Sequence, residues 1–134
     1  MKTRLALTLI SSLFICLFTS CEKETNVVPT PYAFEGEWKW IKTTSGWAHP
    51  IYPDSIGHTL SLIIDHTTYT MLTDDMITDQ LDYEFKTDTN HFGTLIESIL
   101  LESGKQYYIQ TADSVNLILN DGWIDGSVWY YVRK

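Results

Sequence analysis

The residues of this 134-residue chain that could bind a metal, move a proton or attack a substrate are four histidines, a set of aspartates and two cysteines. His49, His58, His66 and His91 are widely spaced, and neither an HExxH nor a GxSxG pattern surrounds any of them. They read as solvated strand-end histidines, the alternative being a metal held by two of them brought together in three dimensions. Asp74, Asp75, Asp79 and Asp82 form an acidic cluster, and Asp121 stands near Asp125. Carboxylates so grouped suit calcium, yet neither set has the spacing of a calcium loop, and Asp-Gly pairs make hairpin turns with no metal. The turn reading is preferred. With no glycine-rich phosphate cradle either, no catalytic residue, metal ligand or cofactor is assigned, and the expectation is a protein that is not an enzyme.

The cysteines point to an address. Lys2 and Arg4 precede an apolar run from Leu5 to Phe18, broken only by Thr8, Ser11 and Ser12. That is the pattern of a secretory signal peptide, and at 14 residues the run is short of the ~20 needed to cross a bilayer. It ends Phe18-Thr19-Ser20-Cys21, which resembles the bacterial lipobox, with Phe18 where leucine is usual. The resemblance implies lipidation of Cys21, a mature chain that begins there, and Glu22-Lys23-Glu24 as a charged surface-export stretch. The alternative is ordinary cleavage with Cys21 an incidental thiol. Cys16 falls in the discarded run, so the mature chain has no disulfide and depends on its core.

Removal of residues 1–20 leaves seven basic against 17 acidic residues, a charge of −10. A surface this acidic repels a phosphate backbone, so no nucleic-acid partner is expected, and attachment to an envelope membrane has to come from acyl chains. Residues 21–33 carry Pro29 and Pro31 and no periodicity, which predicts a lipidated cysteine followed by a flexible tether. Fully extended it reaches about 40 Å at ~3.3 Å per residue. The folded domain is then residues 34–134.

Its chemistry-bearing side chains must be positioned by strands. Phe34, Gly36, Trp38 and Trp40 alternate with Glu35, Glu37 and Lys39, and Thr43 falls on the outer parity of that segment. Leu60, Leu62 and Ile64 repeat the pattern, as do Leu81, Tyr83 and Phe85, then Val115, Leu117 and Leu119, then Val128, Tyr130 and Val132, where Trp129 and Tyr131 blur the assignment. Turn residues interrupt about every ten positions. The strands expected are 35–43, 58–65, 68–73, 76–86, 92–101, 105–111, 115–120 and 127–133. Short links favour an all-β, eight-stranded antiparallel up-and-down β-barrel, with a two-sheet sandwich as the alternative.

Gly36-Glu37-Trp38 on the first strand resembles the Gly-x-Trp motif of the lipocalins, and Asp125–Arg133 is similar to the closing strand of small bacterial lipocalin-like lipoproteins. The resemblance covers residues 34–134 and implies a lipocalin-like barrel in which Trp38 closes the narrow end with Arg133 across it. It departs from the family in having no C-terminal helix and in its short length. It also implies a small apolar or aromatic ligand beneath a large first loop. Residues 44–57, TSGWAHPIYPDSIG, are the longest connection and lack evident secondary structure, so they read as a lid carrying Trp47, Ile51 and Tyr52. The alternative is that Trp47 plugs the barrel top. Tyr69 and Tyr83 are the further candidate ligand contacts, and the parity of Tyr107 and Tyr108 is open. The expected function is an outer-membrane lipoprotein that carries a small hydrophobic molecule. The alternative is a non-catalytic module with a filled barrel that docks an envelope or host protein through Trp47, Trp123 and Trp129.

Overall fold

The computed structural model describes residues 32–89, 93–122 and 125–134. The expected signal segment, Cys21 and residues 22–31 of the tether lie outside these, as do His91 and Trp123. The elements are β1 (Gly36–Ser45), β2 (Ala48–Ile51), α1 (Pro53–Ile56), β3 (Leu60–Ile64), β4 (Thr68–Thr73), β5 (Met76–Thr89), β6 (Leu95–Leu101), β7 (Gln106–Ala112), β8 (Asn116–Asn120) and β9 (Ser127–Arg133). β1 and β3 to β9 form a closed eight-stranded antiparallel barrel of up-and-down order, with β9 returning to pair with β1. Closure removes the free edges that an open sheet would expose.

The strand that was not expected is β2. Thr43 pairs with Ile51 and Ser45 with Ala48, so residues 44–51 continue β1 into a hairpin whose tip is Gly46-Trp47. Pro53 then opens one helical turn, because its fixed φ suits a first helical position, and Gly57 ends it with φ 71°. Ser55 Oγ donates to the Tyr52 carbonyl at 2.6 Å and accepts from the Tyr52 amide at 3.0 Å. The segment is therefore a built hairpin and turn, and not the structureless lid its length suggested.

One bulge corrects the parity of β1. Trp40 faces Tyr131 and Lys42 faces Tyr130, which leaves Ile41 as an extra residue. Thr43 thereby moves to the side of Trp40 and Trp129, where its Oγ1 accepts the Trp40 indole N–H at 2.9 Å. On β9 it is Trp129 and Tyr131 that pack against the core, paired with Leu119 and Leu117, while Tyr130 lies outside under Lys42. Val115, grouped by alternation with Leu117, is instead an exposed turn residue.

The core between the strands is built from the barrel's own side chains. Trp38, Leu62, Ile64, Tyr69, Ile99, Leu117 and Leu119 are fully buried, and Met71, Leu81, Tyr83, Phe85, Ile109, Trp129 and Tyr131 pack against this core partly buried. Eight strands enclose a width that side chains of this size can occupy.

Candidate functional site

At one end the chain enters the barrel and the barrel is shut. The Trp38 indole is fully buried and donates its N–H to the Phe34 carbonyl at 2.8 Å. The Arg133 guanidinium lies over its ring at 4.1 Å, a cation–π contact. The same guanidinium donates to the carbonyls of Ala33, Glu35, Ser114 and Asp113 at 2.9 to 3.4 Å, tying the entering chain to β9 and to the β7–β8 turn. Gly36 makes this geometry attainable: its φ is 136°, and a Cβ there would overlap Arg133 Nη1. Tyr32 and Ala33, expected at the end of the tether, belong to the barrel, since Tyr32 stacks on Phe34 at 5.0 Å and packs against Phe85 at 4.6 Å.

Among the predicted ligand contacts, Tyr69 and Tyr83 are parts of the packed structure. Tyr69 stacks on Tyr107 at 5.7 Å, and burial holds its phenol well above the ordinary range, with the neighbouring Tyr131 and Tyr107 adding to the shift. Tyr131 is raised too, chiefly by burial. Tyr83 donates its hydroxyl to the Asp65 carbonyl at 2.7 Å and is raised by burial, then by Glu35 and Asp65. Tyr107 is the inward member of its pair with Tyr108.

Trp47, Ile51 and Tyr52 sit elsewhere. Trp47 is 97% exposed at the hairpin tip, with Ile51 and Tyr52 about half exposed behind it. Trp47 is thus no plug, because the hairpin carries it away from the core. The five residues expected to line one cavity are split between core and far tip. That tip is the opposite end of β1 from Gly36, and Gly46 abuts Asp125 of the β8–β9 connection. Behind it, His58 Nδ1 meets Asp74 Oδ2 at 2.7 Å, and the Thr59 amide donates to Asp74 Oδ1. Asp74 and Asp75 occupy the two left-handed turn positions between β4 and β5, with φ 51° and 63°, and hydrogen bonds led by the Thr59 amide lower the Asp74 carboxyl. This half of the acidic cluster does turn chemistry.

Two features escaped sequence reasoning. The outer wall has a groove of about 550 Å³ that includes Glu84, Lys86, Ser98, Gln106 and Tyr108, and one of about 510 Å³ that shares Gln106 and Tyr108 and adds Gly104, Lys105, Asp121 and Gly122. Gly122 lets the Tyr108 ring lie against the backbone, since a Cβ would overlap it. Lys105, which lines the second groove, turns its Nζ to the inner side, 4.8 Å from the Tyr107 ring centre and 5.4 Å from that of Trp129, and the two rings meet edge to face at 5.2 Å. The available signal was Lys105 preceding Tyr107 by two, one parity at the start of a strand.

Compared with protein-family models, curated proteins and solved structures, the chain matches none.

Proposed function

We propose that this chain is a lipid-anchored envelope protein, held through Cys21, whose barrel presents an apolar aromatic tip to a protein partner without catalysing a reaction. The observation that carries the reading is the Trp47 hairpin, 97% exposed at the end of the barrel opposite the one where the chain enters. Tyr32 and Phe34 stand at the Trp38 end, so the chain from Cys21 reaches the barrel there, at the end of β1 away from Trp47. An exposed tryptophan on a hydrogen-bonded hairpin is a rigid anchor of the kind that dominates interface energetics. The acidic chain selects a partner with a cationic rim around an apolar pocket, and it disfavours insertion of the tip into anionic lipid. A core in which Trp38, Leu62, Tyr69, Leu117 and Leu119 are fully buried favours docking over carriage of a small molecule deep inside the barrel.

The test places a photo-crosslinking amino acid at position 47 of the full chain in intact cells, with position 115, an exposed turn residue, as the control. One adduct of defined mass from position 47, lost when Ile51 and Tyr52 are made Ser, supports docking. Adducts of equal yield from both positions, or a small apolar molecule extracted from the barrel, overturn it. The anchor is tested separately: Cys21→Ser abolishes labelling by a fatty acid and Cys16→Ser does not, and an unlabelled native protein overturns the lipoprotein assignment.

A further inference from the structure

We propose that the corner formed by Tyr107 and Trp129 is a binding site for a small alkylammonium group of choline-like chemistry, covered at rest by the chain's own Lys105. The two rings meet at 87°, so the face of one and the edge of the other bound a corner, and the Lys105 ammonium lies within cation–π range of both. A positive charge already stands in the corner, and it shows what the corner takes. Lys105 is exposed and its charge is supplied from the β6–β7 turn, so the side chain can leave without dismantling a strand. Lys105 also lines the outer-wall groove of about 510 Å³ together with Gln106, Tyr108 and Asp121, so its exposed side chain has solvent-facing space to swing into when a ligand displaces it.

The chemistry selects a weakly hydrated organic cation. A quaternary ammonium spreads its charge over methyl groups that fit aromatic faces and loses little hydration on entering, whereas a compact ammonium holds its water more strongly. The excess of acidic residues raises the local concentration of cations and excludes anionic ligands. Lys105 competes as a tethered ligand, and its removal makes the site measurable.

The experiment uses the full chain and its Lys105→Ala variant, with the indole N–H signal of Trp129 as readout. Choline and tetramethylammonium shift that signal saturably. Lys105→Ala binds choline about 2- to 30-fold more tightly than the native protein, the span that ~0.5 to 2 kcal/mol of cation–π attraction gives at 1.4 kcal/mol per decade. The neutral isostere 3,3-dimethylbutan-1-ol produces no comparable shift. Vesicles of pure phosphatidylcholine separate the sources: co-sedimentation of Lys105→Ala assigns a lipid headgroup, and its absence with choline binding intact assigns a free ligand. No saturable shift in a folded Lys105→Ala variant, or equal binding of the neutral isostere, overturns the proposal.

Discussion

Arg133 is the side chain on which most of the closed end converges, and its roles have separable consequences. It stacks on Trp38 and it donates to four backbone carbonyls. Lysine keeps the charge but lacks the planar fork, so Arg133→Lys is expected to lower stability by about 1–3 kcal/mol. Trp38→Ala removes a fully buried ring and is expected to cost about 3–5 kcal/mol, a large share of the 5–15 kcal/mol that holds a small domain. Gly36→Ala is expected to destabilise through two faults at once, a backbone φ of 136° and a methyl group in the path of Arg133. Combining Gly36→Ala with Arg133→Ala relieves the second fault alone, so a denaturant-melt cycle should show the double variant losing less than the sum of the singles. Strict additivity would show that Gly36 is not there for Arg133.

At the scale of elements, the turns and the hairpin tip divide into parts that hold the barrel and parts that do not. Asp65 holds: its Oδ1 accepts the amides of Thr67 and Thr68 in the β3–β4 turn, and its carboxyl is lowered, first by the Thr67 amide and then by the Thr68 hydroxyl. A carboxylate whose folded value is depressed contributes stability that is present above the unfolded value of about 3.9 and is lost as pH falls through the folded one. Asp65→Ala should therefore melt lower than the native protein at neutral pH, with the difference closing on acidification below that window. Trp47 does not hold: Trp47→Ala should leave the melt within about 0.5 kcal/mol, as for an exposed side chain with no structural partner to lose. A cost of several kcal/mol would show that the tip is packed in solution. Strand existence was legible because alternation over Leu60–Ile64 and Leu81–Phe85 follows from one-sided burial. The bulge at Ile41 was not, since alternation assumes an unbroken register, and β2 was missed because Pro50 and all-round exposure erase its period. The same limits governed the site: Trp38 and Arg133 were readable from a motif, whereas Lys105 meets Trp129 only once β7 and β9 curve around a common interior.

For the whole molecule, a barrel whose core includes several tyrosines ties its stability to keeping their hydroxyls neutral. Tyr69 and Tyr131 lie inside and Tyr83 spans from the wall to the β3–β4 turn, and burial is the first cause of the raised phenol in all three. A folded value raised above the unfolded one, about 10, means stability that is complete below pH 10 and lost as pH climbs beyond it, because the unfolded chain releases protons that the native barrel retains. The expected outcome of an alkaline titration is a late rise in phenolate absorbance, in step with the loss of the near-ultraviolet circular dichroism of the packed rings. Tyr69→Phe should flatten the alkaline fall in stability, since it removes one proton from the difference between the two states. Ionisation of the whole tyrosine set while the dichroism stays intact would mean that solvent reaches the interior, which would reopen the barrel as a vessel for a small molecule and draw the functional reading away from the Trp47 tip.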